Sequence, residues 1–352
     1  MDKLFEPLKI RDTVVKNRIC MPPCVAYGFS DDSGIVSDKN VEHYKRIAGG
    51  GAGLIIQEAT CVDPQGKLIP EQLGLWSDEH IQGHKRIVDA VHSEGVPIII
   101  QLHHAGVIGI SADAMLCSSD YEIIHKDTLK KGRAMTVAEI KATQKAFTDA
   151  AIRAVEAGYD GVELHGCHQY LICQFYNDRV NRRDDEYGKH RGLFALEILS
   201  AVRNAVPDSF VVGIRLGAFE PTLADGIAHA KELSAHGIDF IDVSHGFRGE
   251  DEPFKPEDFP YADVIYAAGE IKKNVSCPVF AVNGIRSAAD ARGVLELTGV
   301  DMVDIARGML VNPNWANDAK AGLDTGKCLE CKDCFWRSDP YKCPGRKLYY
   351  KG

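Results

Sequence analysis

Positive charge is in deficit: 41 Lys and Arg stand against 50 Asp and Glu in 352 residues, a formal net charge of −9 at pH 7. No long basic run breaks the chain, which excludes nucleic acid and an anionic membrane surface as expected partners. Long apolar runs are missing as well. None approaches the roughly 18 residues of a membrane span. The opening MDKLFEPLKIRD lacks the apolar core of a signal peptide. With no such leader and an odd count of 11 cysteines, reduced thiols and a cytoplasmic protein are expected. No repeat of solenoid period occurs.

What is present is an ordinary globular composition, 45% hydrophobic and 26% charged. Apolar runs of strand length alternate with amphipathic stretches. The strand candidates are 18–21, 53–57, 97–102, 161–164, 210–216, 240–243, 278–282 and 302–305. They are near-continuously apolar, as parallel strands covered on both faces should be. Helical patterns lie between them at 39–48, 77–93, 136–157, 191–205, 223–235, 261–273 and 287–297, several ending at a glycine such as Gly95, Gly158 or Gly237. Eight such strands predict an α/β chain folded as a (β/α)₈ TIM barrel over 1–326, a single domain with a short Cys-rich tail at 327–352. A doubly wound open sheet is the alternative, but no GxGxxG follows the first strand. Segment 111–133, between the third strand and its helix, reads as a long active-site loop.

In such a barrel chemistry sits at the carboxyl ends of the strands. The fourth strand ends in His165 and His168, with Tyr170 just beyond. Two imidazoles and a phenol so spaced can grip a substrate oxygen and supply a proton, although a strand-end histidine can equally be a core or capping residue. Gln101 ends strand three, Arg215 strand five, Asn283-Gly284 strand seven and Ala306-Arg307 strand eight. A buried Gln, a buried Arg and two glycine turns suit a flavin better than a metal. Arg215 could alternatively serve only as an ion-pair partner inside the barrel.

The stretch GVELHGCHQYLICQFYNDRVNRRDDEYG resembles the HxxHxYLIxxF…NxRxDxYG signature of the Old Yellow Enzyme family of flavin-dependent ene-reductases. LFEPLKIRDTVVKNRICMPP, GLIIQEATCVDPQGK, IQLHHAG and VDIARGMLVNPNW match as well, and LGLWSDEHI is similar to the subgroup called thermophilic-like. The resemblance implies that Pro23, Val25, Ala59 and Gln101 line the ring of flavin mononucleotide (FMN). It places Arg215 at the N1–O2 edge and Gly284, Ala306 and Arg307 at the phosphate. It gives the substrate carbonyl to His165 and His168, proton donation to Tyr170 and the substrate-pocket wall to Tyr27. The implied reaction is a ping-pong transfer: NAD(P)H reduces FMN, which then reduces the C=C bond of an α,β-unsaturated carbonyl compound. Such small molecules, and further copies of the chain, are the partners this leaves.

The chain departs from the family pattern at three places. Val25 stands where the family often carries a thiol or hydroxyl near flavin O4, and Cys24 is one residue out of step, on the other face of an extended segment. DEYGKHRG is shorter than the usual loop. Gln169 replaces a glycine commonly found between the second His and the Tyr. The tail is the open element: Cys328, Cys331, Cys334 and Cys343 follow a C-x₂-C-x₂-C-x₈-C spacing. Four thiolates so close can hold zinc or an iron–sulfur cluster, as in larger relatives similar to 2,4-dienoyl-CoA reductase. Those relatives carry a wider spacing and a following flavin/nicotinamide domain, without which a cluster has no internal electron donor. Plain thiols, a disulfide, or packing through Phe335 and Trp336 are the other readings. Two further functions follow: an iron–sulfur flavoprotein carrier or enoyl-thioester reductase module, and a non-catalytic FMN-binding barrel.

Val25 offers the flavin no hydrogen bond, so its potential should lie below that of Val25→Cys or Val25→Thr. A hydrogen bond to a charge-bearing group contributes about 1.5–3 kcal/mol, equivalent to about 30–60 mV for a two-electron couple. Spectroelectrochemical titration measures the difference; a shift on mutating Cys24 instead would show the register to be wrong.

Overall fold

The computed structural model describes residues 2–110, 115–247 and 255–349. Eight parallel strands close into a barrel: β1 (Ile19–Met21), β2 (Leu54–Cys61), β3 (Ile98–His103), β4 (Gly161–Gly166), β5 (Val211–Gly217), β6 (Phe240–Ser244), β7 (Val279–Ala281) and β8 (Met302–Asp304). The ring shuts where β8 pairs with β1, Val303 opposite Ile19 and Asp304 opposite Cys20. Outside it run α1 (Asp38–Gly49), α2 (Ile81–His92), α3 (Val137–Ala157), α4 (Leu193–Ala205), α5 (Leu223–Ala235), α6 (Asp263–Lys272), α7 (Ala288–Thr298) and α8 (Trp315–Ala321). This is the (β/α)₈ barrel read from the sequence. Among the described residues no helix is long and apolar enough to cross a membrane.

Local chemistry sets the element ends. Ser37 with Asn40, Thr136 with Glu139, Thr222 with Asp225 and Ser287 with Asp290 form capping boxes, which satisfy helix-start amides that have no partner within the helix. Gly158, at φ 90°, stops α3 in the left-handed conformation that glycine adopts without strain. The largest boundary difference is at β2. The polar pair Gln57-Glu58 ends the apolar run at 53–57, yet the strand continues to Cys61, with a register shift between Gln57 and Thr60. Every residue of it is buried.

The barrel interior is layered, because inward side chains recur every second residue. At the amino-terminal end the lining is apolar: Ile99, Val211, Phe240, Phe280 and Met302 pack together. The Phe240 and Phe280 rings stack at 4.7 Å. Gly213 makes this possible, since a Cβ there would stand 2.1 Å from the Phe240 ring. An antiparallel hairpin, Leu8–Ile10 with Thr13–Val15, caps this end and adds Ile10 and Val15 to the cluster. Two residues further along the strands the interior turns polar, with Gln101, Glu163, Arg215, Asp242 and Asp304 all buried.

Segment 111–133 proves more ordered than a loop. Residues 111–114 lie outside the described residues, but Met115–Cys117, Tyr121–His125 and Thr128–Ala134 form a three-stranded sheet. Its sequence is lysine-rich and half exposed, which hides the strand pattern. Glu186–Lys189, in the shortened DEYGKHRG stretch, forms one turn of helix capped by Asp185, with Tyr187 buried and its hydroxyl donating to Glu197 at 2.7 Å. The tail folds back over the barrel mouth. Trp336 is buried with Ala26 and Phe29 and donates Nε1–H to the Val25 carbonyl at 2.9 Å.

The apolar layer is where stability should be most sensitive. Phe280→Ala should cost about 3–5 kcal/mol by loss of burial and creation of a cavity. The same change at exposed Phe335 should cost under about 1 kcal/mol. Urea unfolding of the two variants makes the comparison, and similar midpoints would contradict the layering argument.

Candidate active site

The turn after β4 is strained and firmly held. His168 and Gln169 adopt φ 57° and 70°, left-handed conformations that cost a non-glycine residue free energy. Three hydrogen bonds hold the turn: His168 N–H to the His245 carbonyl at 2.9 Å, Tyr170 N–H to Cys167 at 3.1 Å, and Gln174 Nε2–H to the Gln169 carbonyl at 2.7 Å. Gln169, where a glycine was expected, thus keeps the turn that glycine would allow. The result is that His165, His168 and Tyr170 converge, as the sequence predicts.

Two more residues join them. His103 Nδ1 lies 3.0 Å from His165 Nδ1, His165 Nε2 lies 3.0 Å from His168 Nδ1, and His168 Nε2 lies 2.7 Å from Ser244 Oγ. The Tyr170 ring stands edge-on to His103 and His165, with centroids 4.5 and 4.7 Å away. Burial holds the His103 and His165 imidazoles well below the usual histidine range and His168 at about 3, with Arg215 adding to the effect on His165 and His168. All three are therefore neutral at pH 7, each with one N–H and one lone pair. Burial likewise keeps the Tyr170 phenol above its ordinary value, so it retains its proton. His103 carries a signal in the sequence, since it follows Gln101 by two and so faces the same way. Ser244 carries none, because its role depends on β6 lying next but one to β4, with β5 between them.

Beside the histidines a cavity of about 350 Å³ opens at the ends of β5 to β8. Its lining includes His168, Arg215, Gly284, Asp304, Ala306 and Arg307. Four of the predicted cofactor residues thus share one cavity. The other four stand on the adjoining half of the ring. Gln101 donates to Glu163 at 2.6 Å beneath the mouth. Ala59 is buried at the β2 irregularity, and Pro23 and Val25 are half-buried on the segment after β1. Tyr27 is half-buried beside the Ala26–Phe29–Trp336 cluster.

These residues fit FMN. The cavity falls in the range typical of cofactor pockets. Arg215 is 3.3 Å from Asp242, yet its buried Nε has no partner. Gly284, at φ 73°, has no atom within 4 Å of where a Cβ would stand, so backbone can approach a ligand there. Arg286 and Arg307 hold positive charge at the rim, both paired with Glu330 of the tail at 2.7 and 3.1 Å.

Glu58 was not singled out in the sequence, and it fixes the segment that carries Pro23 and Val25. Its carboxylate accepts the Ala26 N–H at 2.8 Å and the Tyr44 hydroxyl at 3.1 Å. Burial pushes it up to about 7. Burial also raises the Cys24 thiol to about 12, so it stays un-ionised. The tail thiols behave differently from a ligand set. Cys328, Cys331, Cys334 and Cys343 are unpaired. Among the described residues the one group of three metal-ligating side chains within 4.8 Å is His165, Cys167 and His168. The residues between the tail cysteines are drawn to different anchors, Glu330 to Arg286 and Arg307, and Trp336 to Val25.

Comparison with known proteins agrees with this geometry. The sequence model of the NADH:flavin oxidoreductase / NADH oxidase family matches residues 3–326. An NADH oxidase of Thermoanaerobacter brockii is 37% identical over 344 residues, covering 93% of this chain and 52% of its own length. An NADPH dehydrogenase of Geobacillus sp. (strain WCH70) is 37% identical over 92% of this chain and 95% of its own. Among solved structures, a 2-naphthoyl-CoA reductase in complex with 2-naphthoyl-CoA superposes with a TM-score of 0.87 at 25% identity, covering 95% of this chain and 54% of that protein. An old yellow enzyme homologue from Zymomonas mobilis gives 0.80 at 27% identity, over 93% of this chain and 95% of its own. The chain therefore spans about half the length of two of these relatives.

Glu58 gives this site a pH signature. Its folded value of about 7 lies above the ordinary 4.5. The native state thus binds the extra proton, and stability falls as pH rises from about 4.5 to about 7. Glu58→Gln should lack this slope, gaining on the wild type across that window by up to roughly 3 kcal/mol. Urea midpoints of both proteins at pH 5 and pH 8 test it; parallel pH profiles would rule the assignment out.

Proposed function

The chain belongs to the NADH:flavin oxidoreductase / NADH oxidase family and is of the Old Yellow Enzyme type; from that premise we propose that it binds FMN at the barrel mouth and uses NAD(P)H to reduce the C=C bond of α,β-unsaturated carbonyl compounds. Arg215, Gly284, Ala306 and Arg307 hold one part of the cofactor, and Pro23, Val25, Ala59 and Gln101 line the other. FMN, when bound, supplies the hydride chemistry: it accepts hydride from the nicotinamide and gives it to the substrate β-carbon.

The observation that carries the reading is the convergence of His165 Nε2 and His168 Nδ1, 3.0 Å apart and beside the Tyr170 ring. The Ser244 hydroxyl can donate to His168 Nε2, which leaves the proton of His168 on Nδ1. His103 Nδ1–H can donate to His165 Nδ1, which leaves the proton of His165 on Nε2. Without a ligand one proton bridges His165 Nε2 and His168 Nδ1 at 3.0 Å; in the tautomers just given both nitrogens carry a proton and donate to a ligand oxygen that comes between the rings. Two donors aimed at one point call for a shared acceptor, and a carbonyl oxygen is that acceptor. His165 and His168 polarise it and stabilise the negative charge that develops there. Tyr170, neutral and packed against both rings, gives its proton to the α-carbon. Tyr27 lines the substrate space.

A second reading keeps the same site with a larger substrate, an aromatic or enoyl thioester of coenzyme A. The match to the 2-naphthoyl-CoA reductase favours it. It calls for an electron donor; an iron–sulfur cluster on the four tail cysteines would need those thiols, which are not gathered together in this structure, to close on it. Anaerobic titration of the purified protein separates the readings. Yellow colour that NADPH bleaches and 2-cyclohexenone restores supports the first. Iron, acid-labile sulfide and reoxidation only by an acyl-CoA support the second. Bound flavin that no nicotinamide reduces would leave a non-catalytic FMN carrier. In the first case His165→Ala and His168→Ala should each lower the rate of flavin reoxidation by enone by roughly 10²–10³, with flavin reduction by NADPH little changed. An unchanged reoxidation rate in both would remove the pair from its role.

A further inference from the structure

The strained turn that carries His168 and Tyr170 is held on both sides. A short helix, Leu171–Tyr176, follows it directly. The segment after β6 supports it from the side, where the His245 carbonyl accepts the His168 N–H. Both supports end at one side chain. Glu220, three residues beyond β5, is fully buried. Its Oε1 accepts the Cys173 thiol at 2.7 Å and the Phe247 N–H at 3.1 Å, and its Oε2 accepts the Asn177 side-chain N–H at 2.7 Å. Cys173 lies on the short helix and Asn177 ends it. Phe247 stands two residues past His245. One carboxyl thus joins the end of β5, the turn after β6 and the helix after the histidines.

The backbone is built around this carboxyl. A Cβ at Gly246 would stand 1.3 Å from Oε1, and one at Gly217 would stand 2.3 Å from it. Side chains at those two positions would evict Glu220. The Asn177 amide is fixed in orientation, because its Oδ1 accepts the Arg179 N–H at 2.9 Å and so turns Nδ2 to Glu220. Burial pushes Glu220 up to about 8. At pH 7 the carboxyl is therefore mostly neutral, with acceptor sites on both oxygens, and it holds three partners at little cost in buried charge. Left-handed backbone at residues other than glycine persists where the surroundings over-determine it, and His168 and Gln169 lie between the ties that meet at Glu220. We infer that Glu220 is a positioning residue for the reaction proposed above. It grips the histidine turn from two sides and so sets where the His168 imidazole and the Tyr170 phenol stand against the substrate. Glu220 does not line the cavity. The step that depends on it most is flavin reoxidation, which alone uses the Tyr170 proton. Flavin binding draws instead on Arg215, Gly284, Ala306 and Arg307.

The inference rests on that reading of the site, and the test follows the two half-reactions of the full chain with bound FMN separately by stopped flow. Glu220→Ala should lower the limiting rate of reoxidation at saturating 2-cyclohexenone by about 10- to 100-fold, as a displaced reacting group does. The limiting rate of reduction by NADPH and the FMN dissociation constant should stay within about threefold of wild type. Glu220→Gln keeps a donor and an acceptor and should recover most of the loss. Asn177→Ala cuts one tie and leaves the carboxyl in place. It should slow reoxidation alone, and it decides the matter if Glu220→Ala does not fold. Unchanged reoxidation in Asn177→Ala and in any folded Glu220→Ala overturns the inference. So does an equal fall in reduction, reoxidation and flavin affinity, which marks a support of the barrel as a whole. A Gln variant as slow as the Ala variant overturns the hydrogen-bonding role. If enone does not reoxidise the wild-type flavin, the proposed reaction itself fails and this inference with it.

Discussion

One buried guanidinium organises the upper half of this barrel. Arg215 is nearly inaccessible, and three carboxyls, Glu163, Asp242 and Asp304, share its charge. Such a set does not stabilise a fold well, since ions withdrawn from water recover only part of their solvation from each other. Stability instead comes from the layer below, where stacked phenylalanines, aliphatic side chains and the amino-terminal hairpin seal the barrel. The division follows from strand periodicity. The same inward-facing column reads Val211, Gly213, Arg215 on β5 and Phe240, Asp242, Ser244 on β6, apolar below and polar above. The chain concentrates its poorly satisfied groups at one end, next to the cavity.

Much of this was legible in the sequence, and the division between what was and was not is physical. Strands covered on both faces show as apolar runs, and capping boxes mark helix starts, so local patterns located all eight strands and seven helices. His165, His168 and Tyr170 were legible because they sit on one short turn. Arg215, Gly284 and Arg307 were legible because each ends an element whose direction was already known. The roles of His103, Ser244, Glu58 and Asp304 depend on partners far away in the chain: His103 on His165, Ser244 on His168, Glu58 on Ala26 and Tyr44, Asp304 on Asp242. The side-by-side order of the strands brings these together, and no single element announces that order. The sheet at 115–134 escaped because two of its strands are half exposed and polar, with no continuous apolar face to announce them.

The tail shows how a short segment can belong to a site without supplying its chemistry. The Trp336 indole grips the carbonyl of Val25, a residue expected against the flavin ring, and Glu330 sits between two arginines at the cavity rim. The tail therefore braces both sides of the mouth. Glu58 braces the same β1 segment from beneath, so the backbone at 25–26 is held from two directions by side chains remote from it in sequence.

The seam between β1 and β8 has a consequence for how the molecule is made. Residues 19–20 wait for residues 303–304 before their ladder can form. The first turn of the chain waits as well, since Lys3 donates to the carbonyls of Leu295 and Val300, and Asp2 pairs with Arg292. A nascent chain leaving the ribosome carries one unpaired edge of β1 and an incompletely covered apolar floor until nearly all of the barrel has been synthesised. Contacts of such separation make for slow, late-committing folding and for a growing polypeptide exposed to aggregation. The geometry that gives the finished barrel no open edge makes its unfinished form dependent on protection during synthesis.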